Sequence, residues 1–275
     1  MVKILAFFNH AGGVGKTTLV QQVGYHLSQC KRRVRGKRSR KKGDYNRILL
    51  VDMDPQASLT TFMGIEPYDQ EKTIYNAILK DEEVPILTAL YASKGIKDSN
   101  GLDLVASNLG LAIAEQELMT AVMKDFRLRD ALDPIKEDYD FILIDCPPSL
   151  GNLSYISLVA ATHLLVPIQS QYKAFKGVQP LFDTVRLVAA RPNKSLKIAG
   201  FIPTMYDQRN SHDERTLAAI QQQLTPVAKV YSPIPRTTTF ADASEENLPL
   251  ALFDNKHPAL KPIKVLAEQL ESLAV

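Results

Sequence analysis

The chain has 275 residues, 45% of them hydrophobic, and no long Gly/Ser stretch, which permits one large core and argues against two linker-joined domains. No apolar run reaches the roughly 20 residues that span a bilayer. The amino terminus lacks a signal-peptide pattern, and two cysteines, Cys30 and Cys146, exclude a disulfide framework, so a cytoplasmic protein is expected.

The first predicted strand, Lys3 to Phe8, empties into His-Ala-Gly-Gly-Val-Gly-Lys-Thr-Thr at 10–18, and a helix is predicted from Thr17 to Gln29. A buried strand followed by a glycine turn and a helix is a phosphate cradle. Gly12, Gly13 and Gly15 let backbone N–H groups approach an anion, Lys16 adds a point charge and Thr17 offers a hydroxyl to Mg²⁺; Val14 and Thr18 complete the nucleotide loop. The pattern G-x-x-x-x-G-K-[ST] fails at its first glycine, where His10 stands. The deviant form K-G-G-x-G-K-T fits except at its lysine, which is Ala11 here.

After the helix, residues 31–42 carry nine of the 33 Lys and Arg and no acid; without those nine charges the formal +3 would become −6. The basic insertion, about 31–46, reads either as a solvated loop or as an auxiliary contact to a nucleic-acid backbone. Strands follow at Ile48 to Asp52, Leu102 to Ala106, Phe141 to Asp145, His163 to Ile168 and Lys197 to Thr204. They alternate with helical patterns at Leu109 to Val122, Ser154 to Ala161, Val178 to Ala190, His212 to Leu224 and Pro262 to Leu273. This alternation predicts an α/β fold, a doubly wound and mostly parallel sheet with helices on both faces, the whole chain forming one domain. Ligands in such sheets sit at the carboxyl ends of the strands. Two of those ends carry acids, Asp52-Met53-Asp54 and Asp145, which is what Mg²⁺ and a hydrolytic water require near phosphates.

Five blocks together resemble the ParA family of deviant Walker P-loop ATPases. They are Gly-Gly-Val-Gly-Lys-Thr-Thr at 12–18, Val-Asp-Met-Asp-Pro-Gln at 51–56, Tyr-Asp-Phe-Ile-Leu-Ile-Asp-Cys-Pro-Pro-Ser-Leu-Gly at 139–151, Thr-Met-Tyr-Asp-Gln-Arg at 204–209 and Ile-Pro-Arg at 234–236. The resemblance implies an ATPase using ATP and Mg²⁺, with Lys16 on the phosphates, Asp52 orienting or activating water, and Thr17, Asp145 and Asp52 at the metal. Met205 and Pro235 would contact the nucleotide, and Arg209 and Arg236 would contact DNA. It further implies an ATP-sandwich homodimer that binds DNA without sequence preference over the nucleoid, and a ParB-like or McdB-like adaptor that stimulates hydrolysis. The cargo would be a plasmid, a chromosome region or a carboxysome.

In most of this family a lysine at the position of Ala11 reaches the other subunit's nucleotide, and its loss resembles the McdA branch. Lys173, with Lys176 second, follows the strand ending at Ile168 and is the expected replacement. Other readings are a MinD-like membrane ATPase and a small-molecule ligase or kinase on the same fold. The tail, with Ile263, Leu266, Leu270 and Leu273 opposed by Glu268 and Glu271, suits core packing better than an anionic bilayer.

Overall fold

A computed structural model describes residues 2–34, 37–38, 44–88, 102–170 and 178–273, with the side chains at 33, 34, 37, 38 and 178 outside the description. Its seven-stranded sheet has the order β5-β6-β4-β7-β1-β8-β9. In chain order the strands are β1 (Lys3–Phe7), a small hairpin of β2 (Arg33–Val34) and β3 (Lys37–Arg38), β4 (Ile48–Asp52), β5 (Ile86–Leu87), β6 (Leu102–Val105), β7 (Phe141–Asp145), β8 (His163–Gln169) and β9 (Lys197–Thr204). All sheet neighbours are parallel except the β5–β6 edge pair.

Because a strand alternates its side chains, β1 feeds two cores: Ile4, Ala6 and Phe8 face one layer, Leu5 and Phe7 the other. The first layer packs α6 (Asn152–Ala160) and α7 (Val178–Ala190), and the second packs α1 (Lys16–Ser28) and α11 (Leu260–Leu270). Burial on both faces explains why these strands read as continuous apolar runs. All six predicted strands are present, as are helices at all six predicted places.

The helix expected from Leu109 to Val122 is shorter. It forms α4 (Leu111–Glu117), and residues 118–123 continue as turns instead of helix. The short helices α2 (Ser58–Phe62), α3 (Ile74–Leu79), α5 (Arg127–Leu132), α9 (Thr239–Glu245) and α10 (Leu250–Phe253), with the longer α8 (Ser211–Leu224), complete the layers. Of these only α8 matches a sequence expectation. Helices of four to seven residues span too few turns to show a 3.6-residue period.

The stem of the basic insertion is ordered. Lys31 bridges Tyr45 in antiparallel fashion, the Arg32 amide donates to the Asp44 carbonyl, and the Arg32 guanidinium pairs with Asp140 at 2.9 Å. The insertion joins the carboxyl end of α1 to the amino end of β4. Its stem therefore lies at the end of the sheet opposite the glycine loop. Residues 35–36 and 39–43 fall outside the described residues.

Candidate functional site

The glycine loop leaves β1 at the centre of the sheet, where the chain's crossovers change side between β7 and β8. Gly13 and Gly15 have φ of 69° and 84°, left-handed values that a side chain at either position would strain. The loop is clamped from below: the Asn9 amide donates to the Pro167 carbonyl at 2.7 Å and accepts from the Ala11 N–H at 3.0 Å, while the Thr204 hydroxyl donates to the Val14 carbonyl at 2.9 Å. Gly15 caps α1 without a side chain, and the first turn of α1 carries no acid, so its amide donors remain for an anion.

Lys16 is buried, and its ammonium donates to the Ala11 carbonyl at 3.0 Å. Burial lowers its pKa, with Asp145 and Asp54 opposing that shift.

Asp52 and Asp145 end adjacent strands in direct register. Asp145 is buried, and neither carboxylate oxygen has a hydrogen-bond partner. Burial and the neighbouring Asp52 raise its pKa well above the carboxylate range, against the Thr17 hydroxyl and the Lys16 charge. A buried acid with two unpartnered oxygens beside a P-loop threonine and lysine is suited to a hydrated divalent cation. Thr17 and Asp145 are thus the residues that would hold Mg²⁺, which supplies charge neutralisation on the phosphates.

Asp52 is placed differently from its expected role. It is fully buried under α2, with Oδ2 accepting from the Thr60 amide at 2.9 Å and hydroxyl at 2.7 Å, and Oδ1 accepting from the Asp54 amide at 3.1 Å. Those bonds engage both oxygens of a carboxylate that is fully buried, which suits it to holding the loop rather than to facing a water. Asp54 is partly exposed instead, and its carboxylate takes one backbone bond, from Gln56 at 2.9 Å. The geometry gives the water-facing position to Asp54 and makes Asp52 the anchor of the loop. Sequence reasoning also missed Asn9, Thr60 and Ser107; the last donates its hydroxyl to the Asp54 carbonyl at 2.7 Å.

Burial raises the Asp52 pKa from 3.8 to about 7, only partly offset by the Thr60 and Asp54 hydrogen bonds. Between pH 4 and 7 the folded state then holds a proton that the unfolded state has released. This group's contribution to stability therefore falls as pH rises through that window. The nucleotide-free Asp52→Asn variant is expected to lose this component, so thermal denaturation at pH 5 and pH 8 should differ by less than in the wild type, in the direction of relatively greater stability at high pH.

Met205 and Pro235 meet beside the loop. With Gly15, Thr18, Ile234 and Phe240 they line a mostly apolar cavity of about 350 Å³, of a size and character for a nucleotide base. On its far side Pro235 and Arg236 also border a groove of about 720 Å³ that holds Arg209, His257 and Lys261. The Arg209 side chain is 91% exposed and paired with Asp207 at 3.2 Å. Lys173 and Lys176 lie outside the described residues.

A sequence profile described as an AAA domain matches residues 2–198. The sporulation initiation inhibitor protein Soj of Bacillus subtilis is 34% identical over 272 residues, covering 98% of each chain. The chromosome partitioning protein ParA of Caulobacter vibrioides is 32% identical over 98% of this chain and 94% of its own. Among solved structures, one described as cobyrinic acid a,c-diamide synthase from Mycobacterium smegmatis with bound ADP and magnesium is 32% identical, with a TM-score of 0.74 over 90% of this chain and 92% of that one. Apo McdA from Cyanothece shares the fold at a TM-score of 0.81 and 24% identity, over 98% of this chain and 100% of that one.

Proposed function

The chain belongs to the ParA family of P-loop partition ATPases, with ATP and Mg²⁺ as its cofactors, and from that premise we propose that it forms an ATP-bound homodimer that holds DNA without reading its sequence. Hydrolysis stimulated by an adaptor releases it, so that it acts in the cytoplasm over the nucleoid. The observation that carries this reading is the contact between two cavities. The nucleotide cavity and the groove with Arg209 and Arg236 share Pro235, Arg236 and Thr237, so occupancy of one bears on the shape of the other. Around the phosphate loop, Leu109, Ile113 and Leu150 expose apolar surface at the carboxyl end of the sheet, which suits burial against a second copy. Within the family the adaptor selects the cargo: plasmid, chromosome region or carboxysome.

In this reading Lys16 and the amides of Gly12, Gly13 and Gly15 bind phosphate, Val14, Thr17 and Thr18 complete the cradle, and Asp54 orients water. Lys173, or Lys176 after it, supplies the charge absent at Ala11. The apolar face of α11, Leu260, Ile263, Leu266 and Leu270, is buried in the protein, which argues against a MinD-like membrane anchor. Among the described residues no helix is long and apolar enough to cross a membrane.

DNA binding should require ATP, ignore sequence and weaken with salt. Replacing Arg209 and Arg236 together is expected to remove most of it. Deleting residues 33–44 should lower the slope of log K against log salt by roughly 0.9 for each phosphate no longer neutralised, while ATP dependence persists. Filter binding across a salt series measures both; ATP-independent binding that vanishes with the deletion would move the DNA surface to the insertion. A second reading, a small-molecule ligase, is favoured by the description of the Mycobacterium smegmatis structure. It requires ATP turnover that depends on a carboxylic acid substrate and is indifferent to DNA.

A further inference from the structure

We propose that the segment from Ser107 through α4 is a rigid tie between the two acidic loops of the site, with Ser107 and Glu115 as positioning residues for hydrolysis. This inference rests on the reading in which Asp54 faces water and Asp145 supports the cation.

At the front of the segment, the Ser107 amide donates to the Thr60 hydroxyl oxygen at 3.0 Å, and its own hydroxyl donates to the Asp54 carbonyl at 2.7 Å. Since the Thr60 hydroxyl donates in turn to Asp52, one short chain of bonds fixes the loop that carries Asp54. At the back of the segment, Glu115 reaches to a different element. Its carboxylate accepts from the Asn152 and Leu153 amides, the second at 3.0 Å, and its backbone carbonyl accepts from the Asn152 side chain at 3.1 Å.

These amides are the first donors of α6, whose cap residue, Gly151, has no side chain to serve them. An anion from α4 therefore performs the capping that Gly151 cannot, in the position the helix dipole favours. The first turn of α6 holds the preceding loop, because the Ser154 hydroxyl donates to the Ser149 carbonyl at 2.7 Å. That loop begins at Asp145, and Pro148 within it sits against Gly12 of the phosphate loop. A displacement of α4 is thereby felt at both acidic loops.

The geometry also explains Gly151. A methyl group there would collide with the Glu115 carboxylate, whereas its φ of −80° is open to any residue. Gly151→Ala thus expels the Glu115 carboxylate without backbone strain or change of charge.

The expected effects differ at the two ends. In Glu115→Ala, kcat should fall about tenfold to a hundredfold, the range typical when a residue supporting a metal site is removed. Apparent Mg²⁺ affinity in the presence of ADP, measured by calorimetry without turnover, should weaken by about tenfold. The amides of Asn152 and Leu153 should exchange faster in the nucleotide-free protein. Glu115→Gln, which keeps one acceptor, should fall between. Ser107→Ala should lower kcat with Mg²⁺ affinity unchanged.

Gly151→Ala should reproduce Glu115→Ala, and the double variant should be no worse than either. Additive losses, unaltered Mg²⁺ affinity and amide exchange in Glu115→Ala, or a loss of ATP affinity in step with thermal stability would each overturn the tie. Asp145→Asn separates the premise from the inference: if it too leaves Mg²⁺ affinity unchanged, the role given to Asp145 is wrong; if it alone weakens Mg²⁺, only the tie fails.

Discussion

Lys16→Ala is expected to weaken ATP binding by up to roughly a hundredfold. The lysine is buried at the head of α1 with its ammonium on the Ala11 carbonyl, so its charge is already inside the cradle before any nucleotide arrives. Exchanging that carbonyl for phosphate oxygens converts a neutral acceptor into an ionic one. Charge-assisted bonds of this kind contribute up to about 3 kcal/mol, which corresponds to roughly a hundredfold in affinity. The loss should be larger here than in a relative with a lysine at the position of Ala11, because the deviant loop retains only one of its two positive charges. Equilibrium dialysis or calorimetry with ATP decides it, and affinity retained within threefold, about 0.7 kcal/mol, would show that this loop is not the site.

Asp54→Ala is expected to leave ATP binding intact and to slow hydrolysis by about 10²- to 10⁴-fold, the range for removal of a general base or water-orienting group. The product should be an ATP-held dimer that stays on DNA. Asp52→Ala should behave otherwise. It would leave the Thr60 amide and hydroxyl and the Asp54 amide without their acceptor in a buried setting, at a cost of about 1–3 kcal/mol for each unsatisfied group, so that lowered thermal stability accompanies any loss of rate. Single-turnover hydrolysis and thermal denaturation on both variants distinguish the roles. Wild-type turnover in Asp54→Ala, together with a stable but inactive Asp52→Asn, would return the water to Asp52.

The parallel strands and the phosphate loop were legible in the sequence because both are written in contiguous residues. Runs of four or five apolar residues mark β1, β4, β7 and β8 as strands buried on both faces, and the glycines, Lys16 and Thr17 form the cradle from one stretch of backbone. The two acids at strand ends were legible for the same reason. Their division of labour was not. Asp52 and Asp54 are two residues apart and chemically alike, and what separates them is α2, a five-residue helix too short to show a period, which covers the first and leaves the second partly exposed.

The order of the sheet, and with it the neighbouring positions of Asp52 and Asp145, follows from crossovers that no local pattern encodes. Met205 and Pro235 were placed at the nucleotide through family resemblance, and the structure brings them into one cavity with Gly15 because the segment from Tyr231 to Arg236 runs alongside the end of β9. Glu115 left no sign at all in the sequence: its partners are 37 and 38 residues away, and a glutamate on a short helix looks like any solvated charge until α6 is brought against it. The strand set, the phosphate cradle and the inventory of acids and cations each depend on near neighbours along the chain, and the order of amino acids is enough to specify them. Which acid is partly exposed, which is buried under α2, and that the stem of the basic insertion stands at the end of the sheet opposite the phosphate loop follow from the closing of the layers, since burial and long-range contact do not exist before it.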